Sequence, residues 1–293
     1  MTYSHEGKIR RELVAAFPTF LARCTLGHAA LDVAAERYEL PSYLLGLLNT
    51  AYLLCGKSTV TERALRDSLP YATRSRLGAE HWSYLVDGGF ATADADGWIL
   101  TDRGVTAVAA LHQEVRREIS SRHASPALVT GVGEIFETIA RRTRATPRAL
   151  AIRELWSHVE PATQLDRVYR AIWELWIYRD ACFRSAWEQE GYAGPLIDVL
   201  TQIWDGATTV DEVVDRLAAK QSRETALDSI RRLSERGEVA CDGARMSLAD
   251  HARVKRDEIE GRTDAIYFER WPIGERLDRL KADFTGLMDE LAP

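Results

Sequence analysis

Between residues 90 and 101 the chain reads FATADADGWILT, two short runs of apolar and small residues separated by Asp94, Ala95, Asp96 and Gly97. Alternation around a turn rich in residues that tolerate positive φ predicts a β-hairpin. Upstream the apolar period lengthens. TERALRDSL opens on Thr61 as a helix N-cap and carries Ala64, Leu65, Ser68 and Leu69 at helical spacing. After Pro70 a second helix is expected from about Thr73, with Leu77, Trp82, Leu85 and Val86 apolar and Asp87-Gly88-Gly89 as its stop. Downstream, TDRGVTAVAALHQEVRREI starts a third helix.

The same order recurs about 148 residues later: a helix from Val210, a helix from Ser222, Gly237 as stop, strand EVA, turn CDGA, strand RMS and a final helix. Val60 and Glu62 answer Val210 and Glu212; Leu85 and Gly89 answer Leu233 and Gly237. Asp96 and Gly97 answer Asp242 and Gly243, and Thr101 answers Ser247. The offset is near half the chain and reads as an internal duplication. Helix, turn, helix, hairpin, helix is the winged-helix order.

Both copies resemble the winged-helix domains of MarR-type regulators, through LVDGGFATADADGWILTDRGVTAV and LSERGEVACDGARMSLADHARV. The half running from AIWELWIYRDACFRSAWEQEGYAG to RDEIEGRTDAIYF also resembles a group of actinobacterial proteins with a terminal winged helix. MarR-type proteins are homodimers of single winged helices joined by terminal helices. The resemblance therefore implies a dimer fused into one chain, a monomer acting as a pseudo-dimer, with homodimerisation as the other arrangement. The expected fold is mainly α with small β-hairpin wings, two winged helix-turn-helix units joined by a long-helix middle region. Residues 1–122 would hold N-terminal helices and the first winged helix (about 45–120), 123–192 the helical middle, and 193–293 the second winged helix (about 195–262) with a C-terminal helix. The stripe Leu277, Leu280, Phe284, Leu287 and Leu291 after Pro272 predicts that this last helix docks by one face near the middle helices, together with the N-terminal helices.

In a helix-turn-helix, the N-terminal residues of the second helix meet base edges while the wing and helix ends meet phosphates. The first copy offers Thr73, Arg74, Ser75 and Arg76, with Arg63, Arg66 and the wing's Arg103 nearby; the second offers Lys220, Ser222, Arg223 and Thr225, followed by Arg231 and Arg232. Arginine suits bidentate contact to guanine as well as plain phosphate contact. Glu80, Glu224 and Asp228 place negative charge near the same helices, and Asp94 and Asp96 give the first wing an acidic turn. A solvated helix face is the simpler reading of these arginines, and DNA contact the sharper one.

The middle of the chain carries a different pattern. In RVYRAIWELWIYRDACFRSAWEQEGYAG, the residues Tyr169, Trp173, Trp176, Asp180, Phe183 and Trp187 follow i, i+3/4 and i+7 spacings and share one face of a long helix. A carboxylate within an aromatic stripe is either paired, here with Arg179, Arg184 or Arg153, or left to recognise a ligand. These six residues are thus either core between the halves or the lining of a pocket for a small aromatic or basic effector.

Composition narrows the classes. The net charge of −6 argues against indiscriminate coating of nucleic acid but leaves room for a local basic face. Cys24, Cys55, Cys182 and Cys241 are far apart and show no zinc or redox spacing. No run is long and apolar enough for a membrane span, and the N-terminal stretch lacks the apolar centre of a signal peptide, so a cytoplasmic protein without a membrane partner is expected. GVG at 131–133 lacks the third glycine of a dinucleotide fingerprint, and neither a P-loop nor HExxH nor GxSxG occurs. His28, Asp32 and Glu36 at i, i+4 and i+8 could hold a metal or an acid–base pair, but a solvated polar face explains them more simply. No catalytic set, metal site or cofactor is expected, and the sequence leans away from an enzyme without deciding the question. Two functions remain open. One is a transcriptional regulator binding double-stranded DNA through tandem winged helices, with the tryptophan-rich helix sensing an effector. The other is a small-molecule-binding or catalytic protein on a winged-helix scaffold that has lost DNA, for example in natural-product biosynthesis or self-resistance.

Overall fold

The computed structural model describes residues 4–25, 29–62, 64–65, 79–143, 146–157, 163–218 and 221–292. Among these residues the chain is mainly helical, with two small antiparallel hairpins, and no single helix is long and apolar enough to cross a membrane. In chain order the elements are α1 (His5–Cys24), α2 (Ala29–Arg37), α3 (Ser42–Cys55), α4 (Ala79–Asp87), β1 (Ala91–Asp94), β2 (Gly97–Leu100), α5 (Asp102–Ser120), α6 (Pro126–Arg142) and α7 (Pro147–Ser157). There follow α8 (Gln164–Gln189), α9 (Gly194–Trp204), α10 (Val210–Leu217), α11 (Arg223–Glu235), β3 (Val239–Asp242), β4 (Arg245–Leu248), α12 (Asp250–Tyr267) and α13 (Glu275–Glu290). Two compact units interleave along the sequence. The first is made of Met1–Ser58, Leu100–Ala181 and Tyr267–Pro293, the second of Thr59–Ile99 and Cys182–Ile266.

In the first unit α1, α6 and α13 meet through rings. Phe17 packs edge-on against Phe136 (5.4 Å between centroids) and Phe284 (6.1 Å), and Phe136 against Phe284 (5.5 Å). Each such pair adds about 0.5–1.5 kcal/mol beyond the area it buries. The stripe Leu277, Leu280, Phe284, Leu287 and Leu291 is buried throughout, so α13 docks by the expected face. Polar bonds at the rim fix its register: Lys281 Nζ bonds Glu12 at 2.6 Å, Arg10 donates to the Pro272 carbonyl at 3.0 Å, and the Gly274 amide donates to Glu6 at 2.8 Å.

In the second unit α9, α10, α11 and the β3–β4 hairpin enclose one core, in which Leu196, Val199, Val213, Leu217, Leu233 and Val239 are buried. Thr209 caps α10, accepting from the Glu212 amide at 3.2 Å, and Ser222 caps α11, accepting from the Thr225 amide at 2.9 Å. Gly237 ends α11 with φ +70° as the Glu238 amide returns to the Leu233 carbonyl at 2.9 Å.

The same local structure stands earlier in the chain at one fixed offset. β1 begins at Ala91 and β3 at Val239, 148 residues on; β2 and β4 begin at Gly97 and Arg245, α5 and α12 at Asp102 and Asp250, with the same spacing. Thr61 accepts from the Ala64 amide at 2.9 Å as Thr209 does from Glu212. Gly89, φ +72°, ends α4 while the Phe90 amide bonds the Leu85 carbonyl at 2.8 Å, as at Gly237. The Trp98 amide donates to the Val60 carbonyl at 3.0 Å and Met246 to Thr208 at 2.8 Å, so each hairpin gains a one-residue third strand ahead of its helix. Buried positions agree as well: Leu65 with Val213, Trp82 with Ile230, Leu85 with Leu233, Leu100 with Leu248 and Leu111 with Ile259.

Five expected pairings shift. Val60 and Glu62 answer Thr208 and Val210 rather than Val210 and Glu212, and Asp96 and Gly97 answer Ala244 and Arg245 rather than Asp242 and Gly243. Thr101, whose hydroxyl caps α5 by accepting from Gly104 at 3.2 Å, answers Ala249 rather than Ser247. Gly97 and Gly243 match in residue type, but the two glycines serve different needs. Gly243 lies in its turn at φ +58°. Gly97 lies in a strand, where an added Cβ would fall 2.2 Å from the Val60 carbonyl oxygen. The first turn, Ala95-Asp96, uses no positive φ at all.

This difference makes a quantitative expectation. In chemical denaturation Gly97→Ala should cost roughly 3 kcal/mol or more, since a backbone atom blocks the new methyl. Gly237→Ala, with open space around its Cβ, should cost only about 1 kcal/mol for its left-handed backbone. Equal costs would contradict the close approach.

Candidate functional site

The expected reading surface of the second copy is α11 with its hairpin. The Ser222 hydroxyl both caps the helix and meets Thr225 Oγ1 at 2.7 Å, so these two side chains are already bonded to each other at the first turn. One face of α11 is buried through Ala226, Ser229, Ile230 and Leu233. The other exposes Arg223, Glu224, Leu227, Asp228, Arg231, Arg232 and Glu235. Arg223 pairs with Asp211 of α10 at 3.1 Å, and Arg231 bonds both Asp228 and Glu235. On this face two arginines, Arg223 and Arg231, thus meet three carboxylates, while Arg232 has no ion pair among the described residues. Arg245, at the start of β4, is exposed and has no ion pair among the described residues. Lys220 lies outside the described residues.

In the first copy Thr73, Arg74, Ser75 and Arg76 lie outside the described residues, as do Arg63 and Arg66. Arg103 is exposed on the first turn of α5. The acidic turn has a structural use. Asp94 accepts from Thr59 Oγ1 at 2.6 Å, and this bond, with the Ala95 amide, holds its carboxyl below the usual range. It ties the approach strand to the hairpin.

The second candidate is the aromatic stripe of α8. All six residues stand on that one helix, but they divide between the two units. Tyr169 and Trp173 join a cluster in the first unit with Trp156 of α7 and His112 of α5: Trp156 stacks on Tyr169 (6.1 Å) and His112 on Trp173 (5.3 Å). Phe183 and Trp187 belong instead to the core of the second unit, with Arg256 held 5.1 Å over the Phe183 ring. Trp176 is half-buried. Asp180 faces Arg148 at 3.9 Å; desolvation raises its carboxyl to about 6 against the pull of Arg148 and Arg179. Its other expected partners are taken, Arg153 by the buried Glu174 at 2.7 Å and Arg184 by Glu188 at 2.7 Å.

His112, Trp156 and Asn49 carried no sequence signal, yet they form the polar centre of the first unit. The Trp156 indole N–H donates to His112 Nδ1 at 3.2 Å, which leaves the imidazole proton on Nε2, bonded to Asn49 Oδ1 at 2.9 Å. Arg116 covers the outer face of Trp156 at 5.6 Å. Both ring nitrogens of His112 are occupied, so it has no lone pair free for a substrate proton. Among the other polar candidates, His28 lies outside the described residues and Asp32 accepts from Ser42 at 2.5 Å.

No family model, curated protein or solved structure matches the chain. The functional reading therefore rests on the geometry of these two surfaces. One presents a capped helix and a hairpin to solvent; the other is packed, with Trp156, His112 and Asn49 bonded to one another at its polar centre.

Burial without an acid pushes the His112 pKa down to about 4 from an ordinary 6.5. The unfolded chain binds this proton first on acidification. The resulting stabilisation is complete above pH 6.5 and is lost as pH falls through 4, about 3 kcal/mol in all. Denaturation of His112→Gln should show a correspondingly flatter stability profile between pH 4 and 6.5. An unaltered profile would place the titration elsewhere.

Proposed function

We propose that the chain is a DNA-binding transcriptional regulator, MarR-like in its reading units, with two winged helices in tandem. The observation that carries the proposal is the 148-residue recurrence of capped helix, glycine stop, approach strand and hairpin. A short helix followed by a second with an exposed N-terminal turn beside a hairpin is the order in which winged helices meet a major groove. In the second copy Arg223, beside the Ser222–Thr225 cap, would meet base edges or phosphate, and Arg245 of the hairpin would meet the neighbouring backbone. Arg74 and Arg76, with Thr73, Ser75 and Arg103, would serve in the first copy. One chain thereby carries two reading heads and acts as a pseudo-dimer.

A second reading is favoured by one observation: Arg223 and Arg231 of α11 already have carboxylate partners. On that reading the scaffold has lost DNA and serves small-molecule binding or catalysis. Asp211 separates the two. If Arg223 contacts DNA, Asp211 competes with phosphate for it, so Asp211→Asn should tighten binding and Arg223→Ala should weaken it.

Fluorescence anisotropy of duplexes from the chain's own upstream region, titrated over salt, tests both. A regulator should show log affinity falling linearly with log salt at a slope of about −0.9 per phosphate contacted, flattened in Arg223→Ala and in the Arg74→Ala/Arg76→Ala double variant. Absence of any duplex binding tighter than ~100 μM at physiological salt would remove the DNA proposal in favour of the second reading.

A further inference from the structure

A groove of about 360 Å³ runs in the first unit between α6, the first turn of α8 and the first turn of α13. Its size lies at the lower end of small-molecule sites. It is distinct from the aromatic cluster and from both hairpins. Gly133 forms part of its floor, where α6 and α8 approach so closely that a Cβ would fall 3.1 Å from Val168 Cγ2.

Arg167 and Arg276 line this groove from two different helices, and neither has an ion pair or hydrogen bond among the described residues. Most arginines with a described partner in this chain are matched to a carboxylate, such as Arg153 with Glu174 and Arg256 with Glu260. Both unmatched arginines also sit in the first turn of a helix, where the backbone dipole disfavours a cation. Two such guanidiniums on one concavity repel each other, and an anion between them relieves both penalties. A third, Arg141, holds Glu137 only loosely at 3.6 Å. Thr130 Oγ1 donates to Gln164 Oε1 at 2.6 Å, which fixes the Gln164 amide with its N–H groups available as further donors.

We propose that this groove binds a small molecule through its carboxylate or phosphate group, held between Arg167 and Arg276 with Gln164 donating. The ligand would be acidic, in contrast to the aromatic or basic effector expected from α8. Glu134, which also lines the groove, offers an acceptor for a hydroxyl or ammonium on the same molecule. The inference stands whether or not the chain binds DNA.

Thermal unfolding and titration calorimetry of the full chain test it, with inorganic phosphate and citrate as probes against sodium chloride at matched ionic strength. A ligand of the native state raises Tm saturably, unlike a screening salt. At least one probe should do so, and which one identifies the preferred oxyanion. The Arg167→Ala/Arg276→Ala double variant should weaken that binding by about tenfold or more. Because both side chains are exposed and have no partner among the described residues, its Tm without probe should match the parent chain. Arg279→Ala removes an α13 charge that pairs with Asp283 and does not line the groove, so it should bind as the parent does. A Tm response no larger than that to chloride, an undiminished response in the double variant, or an equal loss in Arg279→Ala would each overturn the assignment.

Discussion

Gly97 has no room for a side chain, because the Val60 carbonyl stands where its Cβ would be. Around this contact the Val60 amide and carbonyl bond Trp98 at 2.7 and 3.0 Å, while the Trp98 indole lies on buried Trp82 at 4.5 Å and 8°. Two backbone bonds and one stack thus fix the segment entering the Thr61-capped turn to the hairpin that follows α4. At the matching place 148 residues on, Met246 keeps the bond to the Thr208 carbonyl, but the second bond runs from the Val210 amide to the Ala244 carbonyl, and the strand opens on exposed Arg245. Similar local topology thus places unequal demands on the residue at the start of the second strand, glycine at position 97 and arginine at 245.

Element type and order were legible because they rest on local signals. Thr61, Thr209 and Ser222 are caps, Gly89 and Gly237 are stops, and the terminal Leu/Phe stripe is buried along its length. Exact register was not. Gly97 and Gly243 look alike in sequence, but one answers a steric demand from a residue 37 positions back, Val60, and the other a local turn. The polar centre was equally hidden: His112, Trp156 and Asn49 come from three helices with no common spacing, and only packing brings them together. Interleaving of the two units follows from the same limit, since a helix pattern reveals which face is apolar but not which neighbour covers it.

The aromatic stripe of α8 illustrates that limit in one helix. Spacing correctly puts Tyr169 and Trp187 on one long helix, yet the first is covered by Trp156 and the second lies in a separate core with Leu196 and Leu200. Asp180 lies between Tyr169 and Trp187 along that helix, and its high carboxyl pKa reflects desolvation that Arg148, 3.9 Å away, only partly offsets. A carboxylate with such a weak partner is costly to keep charged. Glu174, one turn and a half earlier on the same helix, is the opposite case: two close bonds to Arg153 keep it paired while buried.

Surface charge on α11 is governed by magnitudes rather than by counts. Exposed ion pairs such as Arg223–Asp211 and Arg231–Asp228 contribute little, because water screens them. Such pairs exchange one oxygen acceptor for another at little cost, so they do not bar phosphate contact by themselves. The greater obstacle is that Asp211, Asp228 and Glu235 stay behind after the exchange, close to any approaching backbone phosphate. Like charges left on an interface cost more than the pairs they came from. On the proposed regulator the carboxylates beside the arginines, rather than the ion pairs themselves, would limit DNA affinity, which is why removal of Asp211 is more informative than removal of Arg223.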